Sequence, residues 1–319
     1  MRSIRTRFRA YHLGSAGSSF SYFADGHFTM IEARLTEESR AQVEHEMTVR
    51  CGVDHADVLH ITSWDADHCN KHELPDLLNL IRPMKIECPG YDPYKDSGHG
   101  EECLEMIAEY RSRRRNTGTT PIIRHITPQY IQGLEPASAK AFRDTLYNPV
   151  QIFENANDNS TVKLFRKGSF NVLSLGDVMS PIIGARLRRQ RVLRSEVDVM
   201  ILAHHGADNG FTTKKFLNHI EPEVAICSSD YDNMYDHPRQ EIRDLLHEQG
   251  IHLKTTKTGD VIVRSTGDHT GGYEVINLIG RSTKESSRVE GLFSKKSGIL
   301  DANGDTLRQR YGAKRTWPR

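Results

Sequence analysis

Three apolar segments, far apart in the chain, each run into residues that hold cations or protons, and this repeated ending constrains the fold more than any other feature. Residues 57–62 lead into Ser63-Trp64-Asp65-Ala66-Asp67-His68, residues 170–175 into Gly176-Asp177, and residues 197–203 into His204-His205-Gly206. Short apolar runs bounded by such polar turns read as buried strands. Strand-end loops are where a rigid scaffold presents functional groups. A fold that aligned the three ends would gather carboxylates and imidazoles at one sheet edge. Several acids brought that close repel one another unless a cation neutralises them. Carboxylate oxygen and imidazole nitrogen are also the donors a hydrolytic divalent site uses.

The intervening sequence alternates strand and helix signals. Residues 5–11, 19–24 and 27–33 form a strand meander with an Asp25-Gly26 hairpin turn. Thr36-Glu37-Glu38-Ser39 then caps a helix ending near Arg50, with Gly52 just beyond it. Residues 73–82 and 101–115 read as helices, and 84–88 and 121–126 as strands. The second half repeats the scheme: strands at 161–166, 223–227, 251–255, 261–264 and 273–278, an Arg-rich helix after Asp177, and a helix over 238–249. The expectation is α/β, a sandwich of two mixed sheets covered by helices. One domain is expected over residues 1–280, with 281–319 as a basic C-terminal extension.

Composition narrows the class. With 37% hydrophobic residues a substantial core is within reach, and no apolar run approaches the roughly 18 residues of a membrane span. No membrane association is expected. The opening residues have no hydrophobic stretch of signal-peptide type, so a cytoplasmic location is expected. The five cysteines are scattered without C-x-x-C spacing, which suggests neither a disulfide framework nor a thiolate zinc knuckle. A net charge of +1 argues against a uniformly basic nucleic-acid module. The cations are nonetheless clustered, at Arg111, Arg113, Arg114 and Arg115, and at Arg186, Arg188, Arg189, Arg191 and Arg194. Residues 281–319 add ten Lys/Arg against four Asp/Glu. Such clusters are either solvated faces or phosphate contacts.

The run HITSWDADHCN, residues 60–70, resembles the H-x-[HD]-x-D-H signature of the metallo-β-lactamase superfamily in the form typical of its ComEC-like branch. Further segments resemble that branch in the same order: ENANDNSTVKLF, FNVLSLGDV, VDVMILAHHGADNG and AICSSDYDNMYDHPRQEI. The opening YHLGSAGSSFSYFADGHFTMIEARL resembles its Gly-rich first strands, so the likeness spans about residues 8–265. It implies an αββα sandwich holding one or two divalent ions, manganese or zinc, with magnesium as a further candidate. Asp67 and His68 would bind one ion, Asp177 would bridge, and His205 or its neighbour His204 would complete the other position with Asp65. Asp67 would also orient the attacking water, and His237 would contact a phosphate oxygen or protonate a leaving group.

The chain departs from the signature at three places. Ser63 stands where the signature opens with a histidine, no histidine lies between Tyr130 and Asp177, and Glu32-Ala33 replaces an Asp-containing turn. The resulting donor set is rich in oxygen, which favours manganese, magnesium or one tightly held ion over two zinc ions. His60, Trp64 and Cys69 read first as packed residues. The resemblance implies a phosphodiesterase or nuclease acting on DNA or RNA through a metal-activated hydroxide, beside a protein partner such as an ATPase. Two alternatives stand: a non-catalytic subunit of an assembly, and a lactone, thioester or β-lactam hydrolase.

Overall fold

Side-chain alternation along the strands sets the layers of this molecule, a computed structural model that describes residues 5–93, 99–136, 143–267, 271–279 and 289–296. The first strands are β1 (Thr6–Ala10), β2 (Phe20–Ala24), β3 (His27–Ile31), β4 (Val58–His60), β5 (Lys85–Pro89) and β6 (Ile122–Ile126). Next come β7 (Thr145–Asn148), β8 (Val162–Phe165), β9 (Val172–Ser174), β10 (Val199–Ile201), β11 (Val224–Cys227) and β12 (His252–Thr255). The last are β13 (Val261–Ser265), β14 (Gly272–Asn277) and β15 (Val289–Ser294). Among the described residues one sheet runs β15-β14-β13-β1-β2-β3-β4-β5-β6 and the other β12-β11-β10-β9-β8-β7. Both are mixed: β3 to β6 are parallel in the first, and β9 to β12 in the second.

Alternate residues of the central strands meet the other sheet. Phe8, Phe20, Tyr22 and Ile31 pack against Phe165, Val172, Val199, Ile201 and Ile226 between the two sheets. Their neighbours face outward onto helices, named in chain order α1 (Glu37–His45), α2 (Leu74–Ile81), α3 (Gly100–Asn116), α4 (Pro128–Gln132), α5 (Pro181–Leu187), α6 (Arg191–Glu196), α7 (Lys214–Ile220) and α8 (Gln240–Glu248). Val43, Leu77, Ile81 and Ile107 close α1 to α3 over the first sheet, and Ile183, Leu193, Leu217 and Leu246 close α5 to α8 over the second. Full burial of such a side chain stabilises by about 1.5–3 kcal/mol. The expected αββα sandwich is what the chain forms. No helix among the described residues is long and apolar enough to cross a membrane.

Local chemistry explains the helix starts. Thr36 accepts from the Ser39 amide while the Ser39 hydroxyl accepts from the Thr36 amide, the reciprocal cap expected for α1. Beyond α1 the chain widens into a π-helical turn, Glu46–Cys51, that ends at Gly52 in a left-handed conformation. Glu46 turns back under the first sheet to accept from Arg7 at 2.6 Å and Arg9 at 3.1 Å, a buried pairing of β1 with its covering helix. Four elements lie outside the sequence expectations: β7, α4, α7 and β15. β15 falls within the stretch 281–319 read as an extension, yet it pairs antiparallel with β14 and forms the sheet edge. Residues 281–288 and 297–319 of that stretch lie outside the described residues.

Candidate metal centre

β9 and β10 are parallel neighbours, so Asp177 and the 203–206 turn leave the second sheet at the same end. The His204 amide donates to the Gly176 carbonyl at 3.0 Å and ties these two exits together. Gly176 has φ +54, and a Cβ there would meet Ser160 and Thr62 within 3.1 Å, so the approach of the sheets demands glycine. From the first sheet, β4 exits through Ser63 to His68. The Thr161 amide donates to the Thr62 carbonyl at 3.0 Å across the sandwich and fixes this loop against the second sheet. The Ser18 amide donates to the Asp67 carbonyl at 2.9 Å, made accessible by Gly17, whose missing side chain would collide with that oxygen.

These contacts bring Asp67, His68, Asp177 and His205 together, each with one donor atom, all within 4.8 Å of one another. His68 Nε2 lies 2.9 Å from Asp177 Oδ1, and His205 Nε2 lies 3.1 Å from Asp67 Oδ2. Each imidazole is held from behind. His205 Nδ1 sits 2.8 Å from the Ser228 carbonyl, which can only accept, so Nδ1 carries a proton and Nε2 is the nitrogen left to face the cluster. His68 Nδ1 sits 3.2 Å from Glu32 Oε1, and Glu32 is itself fixed by the Thr62 hydroxyl at 2.6 Å and the Thr62 amide at 3.0 Å. Outer partners of this kind orient imidazoles that ligate metals. His68 Nε2 is buried without a well-formed hydrogen bond, and two carboxylates and two imidazoles at this spacing fit one divalent cation.

Electrostatics describe the same preference. Burial alone pulls His68 toward its neutral form, but Asp177, Glu32 and Asp67 outweigh it and raise its pKa well above the ordinary value. His205 is likewise raised against burial, by its hydrogen bond to Asp67 and by Asp177. Burial pushes the Asp67 and Asp177 carboxyls up, yet His68 and His205 bring both below the usual carboxylate range. The cluster is thus a pocket of negative potential that retains positive charge at its centre.

The other sequence candidates stand around these four. Asp65 is outside the cluster: its Oδ2 accepts from the Ser63 hydroxyl at 3.0 Å, and burial followed by Asp177 raises its pKa. Ser63 also lies 3.4 Å from the Tyr91 hydroxyl, so the position where the signature has histidine is filled by a hydrogen-bonded side chain. His204 is not in the cluster either; its ring lies 6.1 Å from His237 and its buried Nδ1 has no hydrogen-bond partner among the described residues. Both His204 (φ 46) and His205 (φ 52) are left-handed, an uncommon conformation for non-glycine residues. His237 stacks on His205, with centroids 6.3 Å apart and planes 3° apart, and on Tyr235 at 5.6 Å. Burial, then His205 and His204, lower its pKa to about 4. Asp67, His204, His205, His237, Ser228 and Asn233 line a cavity of about 80 Å³ beside the cluster.

Three residues read as packed are so. His60 is buried with both nitrogens engaged, by Glu87 at 2.9 Å and Thr161 at 3.1 Å. Trp64 and Cys69 lie in the core beneath the first sheet. The supporting roles of Glu32 and Ser228 lie outside the sequence expectations. The motif offered one sign, since Glu32 stands where the acidic turn of the signature belongs.

No protein-family profile matches the chain. Two curated relatives match locally. One is the competence protein ComA of Neisseria gonorrhoeae, 40% identical over 58 residues, which are 18% of this chain and 8% of ComA. The other is ComE operon protein 3 of Bacillus subtilis (strain 168), 34% identical over 70 residues, 22% of this chain and 9% of that protein. The chain therefore spans less than a tenth of the curated relatives it matches. Solved structures with similarity over most of the chain include a CmlA β-hydroxylase (TM-score 0.46, 12% identity, 83% of this chain and 54% of that one). Others are Tm1679, a metal-dependent hydrolase of the β-lactamase superfamily (0.42, 10%, 80% and 98%), and a diphosphatase from the PhnP family (0.41, 14%, 78% and 94%). Likeness this distant decides nothing about chemistry, and the three named activities differ from one another. What settles the fold is the architecture: two mixed sheets face to face, helices on both outer surfaces, and motif loops from both sheets at one rim. This αββα arrangement is the one that the motif resemblance to the metallo-β-lactamase superfamily implies. Within the sandwich, the chain has one four-donor cluster among the described residues and carries Ser63 where the signature opens with a histidine.

Proposed function

We propose that the chain is a metal-dependent hydrolase of phosphodiesters, a nuclease in its natural setting, with one divalent cation held by Asp67, His68, Asp177 and His205. The observation that carries this reading is that both imidazoles of the cluster have Nδ1 fixed from behind, by Glu32 and by the Ser228 carbonyl, leaving Nε2 of each directed at two carboxylates. A divalent cation bound there would supply Lewis acidity, making water a nucleophile near neutral pH and offsetting charge on non-bridging oxygens. The protein's own groups position the reactants. Asp67, whose Oδ2 is engaged by His205, has a second oxygen, Oδ1, 4.0 Å from His68 Nε2, with which to orient water. His237, neutral near pH 7 and facing the cavity, can hydrogen-bond a phosphoryl oxygen or the leaving group. Asn233 holds the His237 backbone from both sides, accepting from its amide at 2.6 Å and donating to its carbonyl at 3.1 Å. The choice of phosphodiesters rests on the ComEC-like form of the motifs, with which the local match to the competence protein ComA agrees.

A second reading, a cation-binding subunit without turnover, draws on the Ser63–Asp65 hydrogen bond, which occupies a place the signature gives to a ligand. One experiment separates the two. Purified protein is incubated with a chromogenic phosphodiester, single-stranded and duplex DNA, RNA, a chromogenic lactone and a chromogenic β-lactam, with Mn²⁺, Mg²⁺ or Zn²⁺ and with chelator. Metal content is measured in parallel. Cleavage that chelator stops and Asp67→Asn abolishes, with one equivalent of metal, is the expected result. Bound metal with no turnover of any substrate supports the subunit. Turnover of a lactone or β-lactam but no phosphodiester overturns both, and two stoichiometric zinc ions overturn the single-cation assignment.

A further inference from the structure

Two of the loops that carry cluster residues lead into one basic surface. Asp177 is followed four residues later by Pro181, the first residue of α5, and His205 is followed five residues later by Gly210. Pro181 and Gly210 both line a cavity of about 370 Å³ whose walls include Arg188, Lys214 and Lys215. An extended chain covers at most about 3.6 Å per residue, so this cavity begins within about 18 Å of the cluster.

The charge on this surface is not balanced by the fold. Residues 181–220 carry seven Lys/Arg and three Asp/Glu, and of those acids Glu196 and Asp198 are buried, leaving Asp208 as the exposed one. Among the described residues Arg188 and Lys215 have no acidic partner, and Lys214 reaches Glu248 only at 4.0 Å. His219 of α7 shows the same field, since burial and then Arg194 and Arg188 pull it toward its neutral form. The Arg-rich stretch after Asp177 and the two lysines of α7 therefore converge in space, although they are more than twenty residues apart in sequence. The other basic cluster, Arg111 to Arg115, lies on α3 over the opposite sheet and lines no part of this cavity.

We propose that the cavity walled by Arg188, Lys214 and Lys215 is a subsite for the phosphate groups of a nucleic-acid strand whose scissile linkage lies at the four-residue cluster. The inference rests on the phosphodiesterase reading above and adds to it a place for the strand flanking the scissile linkage. Its basis is continuity: the walls of the cavity are the prolongations of the loops bearing Asp177 and His205, so a strand leaving the cluster along them meets the cations Arg188, Lys214 and Lys215. Each phosphate neutralised by such a cation releases counterions, and for single strands each contact contributes about 0.7 to the slope of log affinity against log salt.

The test compares full-length protein with Arg188→Ala/Lys215→Ala and, as a control for general positive charge, Arg111→Ala/Arg113→Ala. Binding of a fluorescent phosphorothioate oligonucleotide, which resists cleavage, is titrated at several salt concentrations, with thermal melting to confirm folding. The first variant is expected to bind about tenfold more weakly, with a salt slope shallower by about 1.4, and the control to match the parent. Unchanged affinity and slope in the first variant, or equal weakening in both, overturns the subsite. So does loss of binding to anionic phospholipid vesicles with oligonucleotide binding intact, which would make the surface a membrane contact. Hydrolysis of a small chromogenic phosphodiester by the parent protein judges the proposed function separately. If that succeeds while the binding comparison fails, only the subsite falls.

Discussion

His60 and His68 are eight residues apart, both buried, and both have Nδ1 against a glutamate, yet one belongs to the scaffold and the other to the cluster. His60 Nδ1 lies 2.9 Å from Glu87 and its Nε2 lies 3.1 Å from the Thr161 hydroxyl, so both nitrogens are satisfied by the protein. His68 Nδ1 lies 3.2 Å from Glu32, while its Nε2 faces Asp177 and Asp67. The charge around them differs in the same sense. Burial and the adjoining Lys163 ammonium keep His60 neutral, whereas the carboxylates around His68 overcome burial and favour its protonated form. The lesson is that a histidine–glutamate pair does not mark a ligand. The partner of the second nitrogen does: a hydroxyl closes the network, and an excess of carboxylates opens it to a cation.

The largest effect should separate the two histidines directly. His68→Gln is expected to lower hydrolysis and cation retention by about 10³-fold, because several kcal/mol of charge stabilisation are lost. His60→Gln should leave cation affinity within about threefold and instead destabilise the fold by about 1–3 kcal/mol through unsatisfied partners. Metal titration and urea unfolding of both variants measure this, and a reversal of the two phenotypes breaks the comparison.

Next in size is Glu87→Gln, which leaves Lys163 buried without the counter-charge now 2.6 Å away, at a cost of about 3 kcal/mol. Glu87 also predicts a pH dependence. Burial pushes its carboxyl up, but Lys163 and the hydrogen bond from His60 hold it well below the ordinary value of 4.5. The unfolded chain therefore takes up the proton first. Stability from Glu87 is full above about pH 4.5 and is lost as pH falls through the lower, folded value. Urea unfolding between pH 3 and 7 should show a steeper acid loss in the parent than in the variant, and parallel curves would remove Glu87 from the account.

A smaller effect belongs to the glutamate on the other side. Glu32→Gln is expected to weaken cation binding about 10–100-fold, as loss of an orienting partner does. Competition with a chelating dye reads this, and unchanged affinity would mean His68 needs no support. Smallest of all, Ser63→Ala should change cation affinity and turnover by less than about threefold, since Ser63 contacts Asp65 and Tyr91 and none of the four cluster residues. A larger loss would place Ser63 among the ligands.

Much of this arrangement was legible in the sequence. Strong alternation announced β1 to β3, and the apolar runs ending in Asp67-His68, Gly176-Asp177 and His204-His205 foretold a common rim. Short or irregular elements did not announce themselves. β7, with the sequence Thr-Leu-Tyr-Asn, is a four-residue edge strand without alternation, and α7 at seven residues is too brief for a helical period to register. In the site, residue types were readable and their directions were not. Asp65 and Asp67 look equivalent in sequence, but the turn that closes from Asp65 to His68 and Cys69 directs Asp65 to Ser63 and Asp67 to His205. Similarly, two consecutive left-handed residues send His205 into the cluster and His204 toward His237, a divergence no spacing rule conveys.

The donors come in pairs from the two sides of the sandwich, Asp67 and His68 following β4 of one sheet, Asp177 and His205 following β9 and β10 of the other. A cation held by all four is consequently a rivet through both leaves, and its grip registers how well they are seated. A packing defect such as Phe165→Ala, far from the rim, should therefore surface as faster metal exchange before any change in secondary structure, so that ion retention becomes a gauge of assembly for the whole molecule.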